Sequence, residues 1–216
     1  MKKTVFSLIL CACALGMNAQ ALKQQGTSAE QIVPKGWEHS EAEGDLNKDG
    51  IKDLVVLAKP NFKENMQTRD DGYEYNFNPY ILAIYFGQEG GPFKQWKQYE
   101  DMFEPDSEWT SVDVSIEITE RGTLNISPDH FASAGSYGTS QTTYTFRFQN
   151  GDFYLIGKEC TEMSRSKGEM TTVSENYLTW KRQTIEDNAF EEVKKKEKWE
   201  KMEREPLKKL GDEGLE

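Results

Sequence analysis

Four short oxygen-bearing side chains recur at odd spacing in one stretch of this 216-residue chain, Gly44-Asp45-Leu46-Asn47-Lys48-Asp49-Gly50-Ile51-Lys52-Asp53-Leu54-Val55-Val56. Asp45, Asn47, Asp49 and Asp53 hold positions one, three, five and nine of a loop whose sixth residue is Gly50. Hard cations such as calcium take about six to eight oxygen ligands at about 2.3–2.6 Å. A short acidic loop with glycine at its bend can wrap such an ion with alternate side chains. The expected Ca2+ ligands are the side chains of Asp45, Asn47, Asp49 and Asp53, with the backbone carbonyl of Ile51. The plainer alternative is a solvated turn, because Asp, Asn and Gly favour turns on their own account. A helix–loop–helix calcium motif does not fit. Its twelfth position needs a bidentate glutamate, and here Val56 stands there, inside a strand-like run. Three carboxylates and one amide predict a dissociation constant in the micromolar-to-millimolar range.

Little else in the chain speaks for catalysis. His39 and His130 are the two histidines, and neither lies in a recognisable nucleophile motif. Phosphate-binding loops, zinc-protease motifs and dinucleotide fingerprints are missing from the sequence. Cys160 reads as a small buried hydrophobe rather than a nucleophile. Gly135-Ser136-Tyr137-Gly138-Thr139-Ser140 would serve as a hairpin connection or, less simply, as a recognition loop. Tyr73, Tyr75, Phe77, Tyr80, Trp96, Tyr99, Phe103 and Trp109 crowd one region. Most are expected to fill a core, and an exposed subset would stack on a glycan or contact a protein ligand. The chain is therefore expected to be a non-enzymatic binding module. The alternatives are an extracytoplasmic hydrolase of glycosidase type, which needs a pair of carboxylates, an inhibitor of one, or a structural cell-envelope component.

These residues need a β scaffold, and strand signals are plentiful. Leu54 to Leu57 and Tyr80 to Phe86 are continuous apolar runs, consistent with strands buried on both faces. Residues 60–79 look like a long exposed loop. Val112, Val114, Ile116 and Ile118 alternate with polar residues, as a half-buried strand does, and a turn at Arg121-Gly122 leads to a returning strand. Asn150-Gly151 between Tyr144–Phe148 and Phe153–Ile156 is a strong hairpin signal, since both turn positions need positive φ. A last strand is expected near Glu175 to Trp180. Asn188 with Glu191 reads as a capping box opening a Lys/Glu-rich helix that runs to about Arg204, ahead of Pro206.

The segment from Ala42 to Val56 resembles the FG-GAP/VCBS repeat of integrin-type β-propellers, in which a Gly-Asp-x-Asn-x-Asp-Gly-x-x-Asp-Leu loop holds calcium between two strands. Leu82-Ala83-Ile84-Tyr85-Phe86-Gly87-Gln88-Glu89-Gly90-Gly91-Pro92-Phe93 is similar to the repeat's next strand and Gly-rich turn. The resemblance spans roughly 42–96 and occurs once, whereas a propeller needs several blades. It implies a calcium ion, and contact with a ligand, on a single blade-like unit rather than a complete propeller.

The expected fold class is mostly β, with antiparallel sheets, one blade-like FG-GAP/VCBS unit and a C-terminal charged helix. Residues 1–21 read as a signal peptide. Lys2 and Lys3 precede a short apolar run, and Ala19-Gln20-Ala21 fits the cleavage pattern. Leu10-Cys11-Ala12-Cys13 resembles a lipobox, which would tether the protein through Cys13. Residues 22–36 read as a flexible leader and 37–186 as the β domain, with the blade-like unit over 42–96 and an antiparallel sheet over 110–186. Residues 187–216 read as the charged helix and a disordered tail. No apolar run approaches the roughly 20 residues of a membrane span. Without Lys2 and Lys3, 24 of the 26 basic residues remain against 37 acidic ones, a net charge of about −13. That balance argues against nucleic acid and anionic lipid as partners. With Cys11 and Cys13 in the signal peptide, Cys160 is left without a disulfide partner. The protein is expected in the periplasm or outside the cell.

Overall fold

The structure, a computed structural model, describes residues 21–100, 102–104, 106, 110–132, 137–192, 194–212 and 214–215. Residues 1–20 of the expected signal peptide, Cys13 among them, lie outside the described residues, as do Gly135, Ser136, Trp109 and Val193. The elements in chain order are β1 (Gln25–Gly26), α1 (Ala29–Ile32), β2 (Glu38–Gly44), β3 (Asp53–Lys59), β4 (Met66–Thr68), β5 (Glu74–Asn76), β6 (Ile81–Phe86) and β7 (Phe93–Tyr99). The second half adds β8 (Thr110–Ile118), β9 (Thr123–Ala132), β10 (Gly138–Gln149), β11 (Asp152–Ser164), β12 (Glu169–Asn176), β13 (Lys181–Asn188) and β14 (Lys196–Lys201). The first half forms a five-stranded sheet in the order β1-β7-β6-β3-β2, and the second a seven-stranded meander from β8 to β14. All named strand pairs are antiparallel. The fold is mostly β and is not a propeller. No helix among the described residues is long and apolar enough to cross a membrane.

Two apolar layers follow from the side-chain patterns. Alternation in β8 and β9 sends Val112, Val114, Leu124 and Ile126 to one face, where they meet Val55, Leu57, Leu82 and Ile84 of the first sheet. The non-alternating runs of β3 and β6 leave a second apolar face, carrying Leu54, Val56, Ala58, Ala83 and Tyr85. A face of that kind must be covered. Leu22, Ala29, Ile32, Val33 and Trp37 cover it. Residues 22–36 are therefore not a flexible leader. They pair through β1 with β7, and Ile32 is fully buried.

Asn150 and Gly151 take φ of 52° and 78°, the left-handed pair that the hairpin between β10 and β11 requires. Residues 60–79 are not one open loop, since β4 and β5 pair within them and Asn78 is buried. The strand expected at Glu175 to Trp180 is instead the end of β12 and a turn into β13.

The expected C-terminal helix is a strand. Asn188 does cap the chain, accepting from the N–H groups of Phe190 at 2.8 Å and Glu191 at 3.1 Å. The backbone then extends, and β14 pairs with β13 from Lys181↔Lys201 to Glu186↔Lys196. An open sheet edge supplies backbone partners to Lys196–Lys201, which outweighs the favourable but small helix propensity of Lys and Glu. Nor are the described residues past 207 disordered. Leu210 and Leu215 are buried in the shared core, and the Leu210 N–H donates to the Phe153 carbonyl at 2.9 Å.

A partly buried ion pair joins the halves. Lys59 at the end of β3 meets Asp106 of the β7–β8 connection at 2.7 Å, and Asp106 also accepts from the Val112 N–H at 2.7 Å. The ammonium lies 4.6 Å from the centre of the Tyr80 ring. Burial, with Asp113, Asp106 and Glu38 nearby, pushes the Tyr80 hydroxyl up to about 12.

Candidate functional site

The acidic loop connects β2 to β3, and its short polar side chains organise its backbone. Asp45 accepts from the N–H of Asp49 at 3.2 Å and of Gly50 at 3.0 Å. Asn47 Oδ1 accepts from the Asp49 N–H at 3.0 Å, and Asp49 Oδ1 from the Ile51 N–H at 2.8 Å. Asn47 Nδ2 donates to Asp49 Oδ2 at 3.0 Å. These are the local side-chain-to-backbone turns that Asp and Asn make readily. Gly50 has φ of 86°, which a residue with a Cβ adopts only at a cost.

Asp53 plays a different part from the other three. It is fully buried at the start of β3. Its Oδ2 accepts from the N–H of Leu46 at 2.8 Å and of Asn47 at 3.4 Å, and its Oδ1 from the N–H of Gly87 at 3.0 Å. The carboxylate thus ties both ends of the loop to the turn after β6. Burial raises its pKa, the three N–H donors oppose that, and the charge of Asp49 adds to the rise, so the net direction is upward. No basic side chain among the described residues forms an ion pair with it.

Packing clamps the loop from three sides. Leu46 is buried in the core between the sheets. Gly122, in the β8–β9 turn with φ of 71°, lies so close that a Cβ there would sit 2.5 Å from the Asp45 carbonyl oxygen. A Cβ on Gly87 would fall 2.1 Å from the Lys52 carbonyl oxygen and 2.7 Å from the Ile51 side chain. Gly87→Ala must displace one backbone from the other and strain the bond to Asp53. The expected loss is about 2–3 kcal/mol, against about 1 kcal/mol for Gly50→Ala, where space is open but φ is unfavourable. Urea unfolding of both variants checks the order. A Gly87→Ala protein no less stable than Gly50→Ala would contradict the clamp.

The structure therefore brings Asp45, Asn47 and Asp49 together, lays the Ile51 side chain against Gly87, and sets Asp53 beneath the loop. The donor chemistry, all oxygen, suits a hard cation, and a carboxylate oxygen that accepts one N–H keeps a further lone pair. Convergence is incomplete. Among the described residues, no three His, Cys, Asp or Glu side chains stand together as a metal cage.

Other sequence candidates disperse. His39 is exposed on β2, and Cys160 is half-buried on β11 between Thr142 and Val173 of the neighbouring strands. Trp96 packs with Phe86, Phe148 and Phe153, Tyr80 packs on Phe103, and Tyr99 is buried. Of the aromatic cluster over 73–109, Tyr73 is the large exposed member among the described residues. The aromatics that line open space lie in the second half. Tyr144, Tyr177 and Trp180 border a cleft of about 780 Å3 beneath residues 201–209. Only strand register could have brought them together, since Tyr144 lies on β10 and Tyr177 and Trp180 in the turn between β12 and β13. Compared with family models, curated proteins and solved structures, the chain matches none.

Proposed function

We propose that this chain is an exported, non-enzymatic binding module for a glycan or protein ligand, braced by one calcium ion in the Asp45–Asp53 loop. The observation that carries the calcium assignment is Asp53. A buried carboxylate with a raised pKa and no basic partner among the described residues is costly, and a cation held by the loop above it offsets that cost. Asp45, Asn47, Asp49 and Asp53 would supply side-chain oxygens and Ile51 its carbonyl. The FG-GAP/VCBS-like order of strand, acidic loop, strand and Gly-rich turn supports the same assignment, as a single blade-like unit. The signal peptide at 1–21 would direct the protein to the periplasm or beyond, either released after Ala21 or anchored through Cys13.

Calorimetric titration of the chelator-stripped protein with calcium, and with magnesium as control, tests the ion. Saturation near one equivalent, with weaker magnesium binding, is the expected result. At calcium about a hundredfold above the dissociation constant the gain is about 2.7 kcal/mol, which for a domain of this size raises Tm by about 5–10 °C. Asp49→Ala should remove that calcium-dependent part. Equal shifts in variant and parent would reject the loop as the site.

A further inference from the structure

One row of residues crosses the seven-stranded sheet through five successive strands. Register pairs Tyr144 with Lys158, Lys158 with Glu175, Glu175 with Arg182, and Arg182 with Glu200. Directly paired residues share a face, and Tyr144 is buried in the core on that face. Beyond Tyr144 the row therefore changes from apolar to alternating charge on the side where a core would continue. Residues 201–209 pass over this charged part, and the space between is the cleft of about 780 Å3. Small-molecule sites span roughly 300–1,000 Å3.

The charges inside are already matched to each other. Arg182 Nε donates to Glu175 Oε1 at 2.7 Å, and the Tyr177 hydroxyl donates to Glu175 Oε2. Burial raises the Glu175 pKa, but the Tyr177 and Arg182 hydrogen bonds outweigh it and hold the carboxyl below its ordinary value. The Lys158 ammonium lies 5.0 Å from the centre of the Tyr144 ring. Basic and acidic side chains are close to balanced along the wall. With five basic and four acidic side chains, such a lining has little net charge with which to select an ion. It offers fixed donors and acceptors at strand spacing, with aromatic faces beside them.

Trp180 supplies an independent observation. It closes the turn from β12 to β13 with φ of 55°, a conformation suited to Gly or Asn and rare for a bulky side chain. The turn is held by Asn176, whose Oδ1 accepts from the N–H of Leu178 at 3.0 Å and of Thr179 at 2.9 Å. The Trp180 carbonyl accepts from the Met202 N–H at 2.8 Å, so the same residue anchors the start of the covering segment. Its ring meets Tyr177 edge to face at 5.8 Å and lines the cleft. Strained backbone that the surroundings enforce tends to mark a functional position. A turn that retains indole where glycine is easier points to a use for the indole.

We propose that this cleft binds a neutral saccharide, with a sugar ring on Trp180 and Tyr177 and its hydroxyls on the Lys158–Glu175–Arg182 row. Sugars combine a weakly polar C–H face with hydroxyls that donate and accept, which matches both halves of the lining. This assignment rests on the chain being a binding module and does not depend on the calcium ion.

The test is a glycan array of neutral and acidic oligosaccharides probed with the full chain, and with Trp180→Gly and Trp180→Asn. Both substitutions suit the turn, so melting temperatures should be unchanged or higher, which separates loss of binding from loss of fold. Binding of neutral glycans by the parent, weakened roughly tenfold or more in both variants, is the expected result. Parent and variants binding neutral glycans equally would overturn the cleft and leave the binding-module proposal standing. A parent that binds acidic glycans alone, or none, would overturn the saccharide assignment, while the calcium titration decides the loop separately.

Discussion

Removing residues 207–216 is expected to cost about 5 kcal/mol or more and to lower Tm by at least about 10 °C. Leu210 and Leu215 are almost fully buried among residues of both sheets, and burying a leucine contributes about 1.5–3 kcal/mol. The backbone adds to this. β12 leaves β11 at the Gly157↔Asn176 pair, so the 153–155 edge needs another partner. The tail provides it, with Leu155 N–H donating to the Lys208 carbonyl at 2.9 Å and Leu210 N–H to the Phe153 carbonyl at 2.9 Å. At the far end, Leu215 N–H donates to the Met102 carbonyl at 2.7 Å. Each such bond is worth about 1 kcal/mol net. Against a total stability of about 5–15 kcal/mol for a domain, the truncated protein should be marginal. Differential scanning calorimetry of the two lengths decides it. A truncated protein melting within about 2 °C of the parent would mean the tail is an ornament on a self-sufficient core.

That tail shows which parts of the fold were legible in the sequence. The strands flanking Asn150-Gly151 could be read because alternation and turn chemistry are local signals. The doubly buried β3 and β6 could be read from their unbroken apolar runs. What those runs also demand, a cover for the second face, has no local signal, because the cover is scattered as Leu22, Ala29, Ile32 and Val33 among polar residues. The tail and β14 lack a local signal for a related reason. Lys196-Glu197-Lys198-Trp199-Glu200-Lys201 has helical composition, but its conformation is decided by the free edge of β13, which no window of sequence contains. Its charges make sense once the register is known, since Glu200 then sits opposite Arg182.

The candidate sites divide along the same line. Asp45, Asn47 and Asp49 were legible because they bond within one loop. The role of Asp53 was not, because one of its donors, Gly87, lies 34 residues away. The cleft was less legible still. Tyr144, Lys158, Glu175 and Arg182 fall on four strands, and only register makes them a row. Long-range pairing thus produced both the strongest part of the calcium proposal and the whole of the saccharide proposal.

Asp53→Ala is expected to be the most damaging single substitution in the loop. It leaves the N–H groups of Leu46, Asn47 and Gly87 without their acceptor, and each buried donor so stranded costs about 1–3 kcal/mol. A loss of about 4 kcal/mol or more should follow, measured by urea unfolding without calcium. Asp53→Asn is milder but cannot serve both sides, because its amide NH2 would face an N–H donor. The pH dependence separates the carboxylate's two roles. The folded-state pKa lies above the ordinary 3.8, so the folded protein binds this proton more tightly than the unfolded chain does. The stabilisation it contributes is fully present below 3.8 and is lost as pH rises through the folded value. In chelator, the parent should therefore lose stability relative to Asp53→Asn across that interval. Calcium favours the ionised carboxylate, so it should restore more stability at neutral pH than at the acid end, and only in the parent. A calcium effect that is flat with pH, or equal in Asp53→Asn, would detach the ion from this carboxylate and leave Asp53 as a purely structural acceptor.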